Sequence, residues 1–158
     1  MRAPSPLLAG CGAVVLGLGV SLTTGSGLAA DSKVIELTQV PCQFLEAEHG
    51  KNHGFESQEK ADCEAINSRT GATRLATAKT FKLEPGKYVF RVTNRNVPYE
   101  LGFWLRGDGL LNRISLPSVS GGGLATGTTR DFEIILEEGE YVYSCPLNPT
   151  LNYRLIVQ

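Results

Sequence analysis

Three cysteines in the region 31–158 are the residues with the clearest capacity for chemistry: Cys42, Cys63 and Cys145. A cysteine thiolate is a soft ligand that suits copper, whereas two cysteines in an oxidising compartment can form a disulfide. Because the count is odd, at least one thiol must remain unpaired or bind something else. These residues therefore predict a metal site, a disulfide, or both.

Cys145 ends a run of alternating residues, 141–145, that predicts a half-buried strand. A loop bounded by Pro146 and Pro149 follows. A type-1 copper site needs a histidine on an earlier strand, another histidine shortly after the cysteine, and usually a weak axial methionine. The loop contains neither residue type, and the one methionine of the chain is Met1. The sequence therefore disfavours a blue-copper site for electron transfer.

Further candidate ligands come from an acid and two histidines. Glu100 lies a few residues after a predicted strand and could supply a carboxylate, or it could simply face water. His49 and His53 have the H-x-x-x-H spacing of some zinc sites, but Gly50 and Gly54 disfavour the helix that would align their rings. The two histidines are therefore weaker metal candidates, and solvated loop histidines are the alternative.

Short strands separated by glycine-rich and proline-rich turns must position these residues. This regular spacing predicts an all-β Greek-key antiparallel sandwich, with residues 121–123 as a flexible connection. The predicted strands are 34–40, 80–83, 88–94, 99–105, 112–116, 130–136, 141–145 and 153–157.

The segment 43–79 differs from the rest because it is polar and contains both histidines. We interpret it as an insertion after the first strand, attached to the edge of the sandwich. Within it, residues 58–67 predict a short helix with Ser57 as a possible N-cap, Glu59 in the first turn and Gly71 as a stop signal.

The pattern L-x-x-G-x-Y-V occurs twice, ending near Tyr88 and Tyr141. It resembles the tyrosine corner of Greek-key sandwiches, in which the hydroxyl bonds back to the backbone across a turn. We expect at least one copy to form this corner.

Residues 1–30 have the features of a secretory signal: Arg2, an apolar run over 7–22 and small residues before a cleavage site after Ala30. A membrane anchor is the alternative, and the residues around Cys11 resemble a lipobox, although the apolar run lies mostly after it. The expected location is the periplasm or the exterior of the cell.

The mature region 31–158 predicts one domain with a nearly neutral charge, since the whole chain has a net charge of −1. No basic patch indicates binding to nucleic acid. No Ser-His-Asp, paired-acid or H-E-x-x-H arrangement indicates catalysis, so we do not expect an enzyme.

Several short motifs together resemble the cupredoxin superfamily, and in particular the cupredoxin-like domain of EfeO-type periplasmic iron-uptake proteins. Those domains lack the copper-binding histidine and methionine too, and the resemblance implies binding of copper or iron by paired cysteines and carboxylates. Carried over by position, Cys42, Glu100 and Cys145 would bind the metal. This chain differs by its insertion, which contains Cys63. The matching pieces are 39–42, 90–94, 99–101, 127–134, 136–141, Cys145 and 148–149.

Two hypotheses about function follow. In the first, a periplasmic protein handles or delivers a metal ion, copper before iron, through a non-blue site of Cys145, Glu100 and Cys42. In the second, a metal-free cupredoxin-fold binding or accessory module is stabilised by a Cys42–Cys63 disulfide, which would be worth about 3 kcal/mol in the loop-entropy model. The two exclude each other while Cys42 is shared. The expected partners are the metal ion and a periplasmic or membrane-bound protein.

Overall fold

A computed structural model describes residues 32–158, which form two β-sheets, two α-helices and one turn of 3-10 helix. The sequence predictions about the signal segment, its cleavage site and Cys11 lie outside these residues. Neither helix in the described range has both the length and the apolar character that a membrane crossing requires. The strands are β1 (Lys33–Val40), β2 (Gln43–Phe44), β3 (Phe81–Leu83), β4 (Gly86–Asn94), β5 (Leu101–Gly107), β6 (Val119–Leu124), β7 (Thr129–Leu136), β8 (Gly139–Ser144) and β9 (Tyr153–Val157); the 3-10 turn is Glu46–Glu48, and the helices are α1 (Lys60–Thr77) and α2 (Gly109–Ser115).

The two sheets have the strand orders β2-β1-β4-β7 and β3-β9-β8-β5-β6. Most pairs are antiparallel, but β1 runs parallel to β4 and β3 runs parallel to β9. The fold is the predicted all-β sandwich with a helical segment inserted after its first strands, and the two parallel pairs are a feature that the strand pattern did not indicate.

Aromatic side chains fill the space between the sheets. The fully buried ring of Phe103 lies within 6.3 Å of the rings of Phe44, Phe90, Phe132 and Tyr143, measured between centroids. Such contacts add to the stability that each ring already gains by leaving water. This cluster fixes how the two sheets are stacked and therefore where their strand ends meet.

Both copies of the repeated motif form tyrosine corners. The hydroxyl of Tyr88 donates to the carbonyl of Glu84 at 2.9 Å. The hydroxyl of Tyr141 donates to the carbonyl of Glu137 at 3.0 Å. Each tyrosine therefore holds the turn that precedes its own strand, as the sequence predicted for at least one copy.

Helix α1 is longer than predicted. It begins after Glu59, which forms a capping box with Asp62, so the N-cap is not Ser57. It also continues through Gly71 instead of ending before it. A Cβ atom at Gly71 would lie 2.8 Å from Cδ2 of Leu151, so this glycine permits close packing of the helix on the sandwich.

Two predictions between β5 and β7 are wrong. Residues 112–116 are mostly in helix α2, not in a strand, and the glycine stretch 121–123 lies within strand β6. Close packing explains why glycine occupies this strand, because a Cβ atom at Gly121 would lie 2.9 Å from the ring of Phe132. A Cβ at Gly102 would in turn lie 2.7 Å from the Gly121 carbonyl.

Candidate functional site at the Cys145 end of the sandwich

Cys145 follows strand β8 and is only 1% exposed. Its sulfur accepts hydrogen bonds from the backbone N–H groups of Gly102, at 3.4 Å, and Asn148, at 3.2 Å. Burial raises the pKa of the Cys145 thiol above its ordinary value, although these two N–H groups oppose that effect. The sulfur is therefore a neutral, enclosed thiol at neutral pH. We call this pole of the molecule the Cys145 end.

Cys42 and Cys63 form a disulfide, with their Cα atoms 5.0 Å apart and both residues fully buried. This confirms the disulfide that the sequence left as an alternative. In the oxidised protein the sulfur of Cys42 is therefore not available as a thiolate ligand, and a metal-ligand role for Cys42 stays a prediction. Cys145 is the free cysteine of the described residues.

Cys42 also has an unusual backbone conformation. Its φ of 66° lies in the left-handed region, which is costly for a residue with a side chain. Three restraints hold it there: the disulfide, a bond from its N–H to Oδ1 of Asn148 at 2.9 Å, and a bond from the Arg74 guanidinium to its carbonyl at 3.0 Å. Such a strained position persists because the surrounding structure determines it several times over.

Asn148 connects all three cysteines. Besides the bond from Cys42, its Oδ1 lies 3.1 Å from the sulfur of Cys63, and its backbone N–H donates to Cys145. Its Nδ2 donates to the Val40 carbonyl at 3.1 Å. The side chain is fully buried, so its amide fills the junction between the loop after β8 and the insertion. The sequence pointed to Asn148 only as a part of the family-like motif.

Glu100 does not join the cysteines. Its side chain is exposed, and Oε1 accepts the backbone N–H of Gly123 at 3.0 Å. Across residues 32–158, no three side chains of the His, Cys, Asp and Glu types are grouped so that they could hold a metal ion. A metal-ligand role for Glu100 therefore stays a prediction.

His49 and His53 lie beside helix α1, in the insertion. Nε2 of His49 lies 3.0 Å from the Thr77 carbonyl. Nε2 of His53 lies 2.6 Å from Oε2 of Glu48, and its ring stacks on Phe55. Both histidines line a cleft of about 270 Å³, and each already has a partner within the fold.

A buried ion pair near the disulfide escaped the sequence analysis. Glu48 and Arg74 are 6% and 5% exposed, and their closest atoms are 2.6 Å apart. Tyr153 donates a further hydrogen bond to Glu48. Burial alone would raise the pKa of Glu48, but the bonds from Arg74 and Tyr153 outweigh it and lower the pKa below its ordinary value. Nothing in the sequence distinguishes these two residues from the exposed charges around them.

The donors at the Cys145 end can be compared with what the copper site predicted from the sequence requires. In the oxidised protein the free sulfur is that of Cys145, and the buried Oε1 of Gln39 has no hydrogen-bond partner. The Gln39 side chain lies against that sulfur. The histidines of the described region are both in the insertion. This set does not fit a type-1 copper site.

No protein-family model matches the chain, and no curated protein matches it. Among solved structures, the chain is similar to auracyanin B, a cupredoxin, with 11% sequence identity and a TM-score of 0.49. The alignment covers 80% of this chain and 88% of that one. This likeness concerns the fold and carries no ligand or activity over to this chain. The narrower resemblance to EfeO-type domains stays a prediction.

Proposed function

We propose that the chain is an exported cupredoxin-fold binding or accessory module, and that the Cys145 end is a closed structural junction while the disulfide is formed. The observation that carries this proposal is the position of Asn148. Its buried amide fills the junction and has contacts with Cys42, Cys63 and Val40, while its backbone contacts Cys145. A metal ion would have to displace these satisfied hydrogen bonds, which are expensive to leave unmade in a buried place.

The chemistry of the predicted ligands supports the same interpretation. Cys42 has lost its thiol to the disulfide, and burial keeps the thiol of Cys145 neutral. Glu100 faces solvent and bonds to strand β6. Export is supported by the sequence of residues 1–30, which matches a secretory signal.

A thiol count combined with elemental analysis tests the proposal. The protein is produced in an oxidising compartment, exposed to copper and iron salts, and freed of loose metal by gel filtration. We expect one alkylatable thiol, slow to react until the protein unfolds, and no retained metal. The Cys145→Ser variant is the control and should show no free thiol. Stoichiometric metal in the wild type that disappears in Cys145→Ser would overturn the proposal.

One observation favours a second candidate function, the binding of copper(I) when the disulfide is reduced. All three cysteines lie around Asn148, and the side chain of Gln39, whose buried Oε1 has no hydrogen-bond partner, lies against Cys145. A dithiol reductant would supply two electrons and two protons, so that the Cys42–Cys63 disulfide becomes two thiols and the reductant becomes a disulfide. Two or three of these sulfurs could then bind copper(I), a soft ion, with release of their protons.

Copper(I) competition against a chromogenic chelator distinguishes the two candidates. The second function predicts tight binding after reduction and none before it. It also predicts loss of binding in the Cys42→Ser and Cys145→Ser variants. Weak binding by the reduced protein, unchanged in Cys145→Ser, would leave the metal-free module as the function.

A further inference from the structure

Helix α2 exposes three large aliphatic side chains on a single short segment. Leu110, Leu111 and Ile114 are 75%, 80% and 78% exposed. The next most exposed large hydrophobic residue in the described part of the chain is Ile135, at 59%. Aliphatic side chains held together in water on an ordered element indicate a contact surface. We call these three residues the α2 patch.

The α2 patch lies at the end of the sandwich where the described chain begins. Strand β1 starts with Lys33 beside Tyr88 on β4, and the start of β4 pairs with the end of β7. A two-residue turn connects β7 to the start of β8, which pairs with the end of β5 at Gly107. Helix α2 follows directly. The chain that precedes Lys33 therefore joins the sandwich at the α2 end, opposite Cys145.

The sequence before Lys33 relates the α2 end of the sandwich to a membrane. It contains the apolar run 7–22 and the lipobox-like residues around Cys11. An uncleaved anchor or a lipid on Cys11 would hold the α2 end close to a membrane. A processed and released chain would present the same patch to any lipid surface that it meets.

The residues beside the patch suit the boundary between lipid and water. The helix itself carries Arg113 and no acidic residue. The guanidinium of Arg113 lies 5.9 Å from the ring centroid of Trp104, and that of Arg106 lies 4.0 Å from it. Tryptophan is enriched at the headgroup level of bilayers, and arginine is common on the polar face of helices that lie in that region.

A second copy of the chain is a weaker candidate for the occupant. A stable protein interface engages about 20–30 residues on each side, and three aliphatic side chains on a seven-residue helix are far fewer. Insertion into lipid has no such threshold, because each apolar side chain that leaves water contributes separately.

We propose that helix α2 inserts the α2 patch into the interfacial region of a phospholipid bilayer, with the Cys145 end directed away from the membrane. This deepens the proposed function, on which it rests, by making a lipid surface the partner of the binding module. It does not depend on the metal content of the protein, so each proposal can fail separately.

Quenching of Trp104 by brominated phospholipids is the direct test, because Trp104 is the one tryptophan of the chain and lies beside α2. The exported protein, purified after removal of its signal segment by the cell, is mixed with vesicles of dibrominated phosphatidylcholine containing some phosphatidylglycerol. We expect strong quenching in the wild type. The Leu110→Ser/Leu111→Ser/Ile114→Ser variant should lose it, with apparent affinity for the vesicles lower by about tenfold or more.

The matched control is Ile135→Ser, which removes an exposed aliphatic side chain from strand β7 instead of α2. Its quenching should equal that of the wild type. Quenching that is absent in the wild type, or equal in the wild type and the triple variant, overturns the proposal. So does an α2-dependent dimer in light scattering without vesicle binding, which would assign the patch to a second copy. Bound metal together with α2-dependent quenching would overturn the proposed function alone.

Discussion

The two ends of the sandwich differ in how far their side chains are buried and bonded within the fold. At the Cys145 end, the disulfide, Asn148 and Cys145 are buried, and the amide of Asn148 has its hydrogen bonds. At the α2 end, three aliphatic side chains face water. The first end is closed and mostly bonded internally, apart from the unpaired Oε1 of Gln39, whereas the second end exposes aliphatic side chains to water.

This contrast indicates that the Cys145 end stabilises the fold, whereas the α2 end is available to bind a partner. Groups that are buried and mutually satisfied are costly to disrupt, since each lost partner leaves a desolvated polar atom. Exposed aliphatic side chains can be replaced with little effect on the folded chain. Substitutions at the Cys145 end should therefore lower the free energy of unfolding, and substitutions at the α2 end should change only what the protein binds.

The largest effect is expected from Arg74→Ala. This change removes the guanidinium from the buried carboxylate of Glu48 and leaves it only His53 and Tyr153, which should reduce the free energy of unfolding by about 3–5 kcal/mol. Urea unfolding followed by circular dichroism measures it. Arg69→Ala, an exposed arginine on the same helix, is the control and should stay close to the wild type.

A double variant sharpens this prediction. Replacing Glu48 by Gln and Arg74 by Met together removes both charges, so it should recover much of the stability that Arg74→Ala alone loses. If Arg74→Ala costs less than about 1 kcal/mol, the ion pair contributes no more than an exposed pair would, and its burial does not stabilise the fold as proposed.

The disulfide is expected to contribute the next largest share. The Cys42→Ser/Cys63→Ser variant opens a loop with a sequence separation of 21, which corresponds to about 3 kcal/mol in the loop-entropy model. The measurement is the free energy of unfolding with and without a dithiol reductant. The wild type and Cys145→Ser should both respond to the reductant, and the double variant should not. A response that depends on Cys145 would mean that a different pair is bridged.

Local sequence patterns predicted most of the sandwich because strands and turns leave local signals. The alternation before Cys145 and the two tyrosine corners were visible in the sequence. These local patterns gave wrong predictions where tertiary packing overrides the intrinsic tendency of a residue, such as glycine, to end a helix or strand. Gly71 does not end α1 because the helix needs a small residue against Leu151, and Gly121 of β6 leaves room for the ring of Phe132.

The candidate site was harder to predict because its residues meet only through the fold. Sequence separation cannot decide whether Cys42 pairs with Cys63 or shares a metal with Cys145, and the structure decides it by bringing α1 over the turn after β1. The buried partners Arg74 and Asn148 give no sequence signal, since most arginines and asparagines are exposed. Only the topology shows that each supports the disulfide.

Asn148→Ala should destabilise the protein by about 1–3 kcal/mol, because the N–H of Cys42 and the carbonyl of Val40 lose their partner in a buried place. The alkylation rate of Cys145 in the folded protein should rise as well. Urea unfolding and timed alkylation with mass spectrometry measure the two effects. Asn96→Ala, an exposed asparagine, is the control. Unchanged stability and unchanged thiol reactivity would contradict a closed junction.

The pH dependence of stability should reflect Glu48. Because its pKa is lowered on folding from an ordinary value of 4.5, the ionised carboxylate adds stability that is fully present above that value. This contribution is lost as the pH falls through the lower pKa of the folded state. Urea midpoints measured between about pH 5 and pH 3 should fall less steeply in Glu48→Gln than in the wild type. Glu64→Gln, an exposed acid on α1, should keep the slope of the wild type.

The smallest effect on stability is expected from the α2 patch. The triple serine variant should unfold within about 0.5 kcal/mol of the wild type, since its side chains are already in water. Urea unfolding of the same preparations that are used with vesicles makes the comparison direct. A stable variant that no longer binds lipid assigns the α2 end to contact with a partner. A loss above about 1 kcal/mol would place these side chains in the packing of the folded chain, and the two ends would then no longer differ in kind.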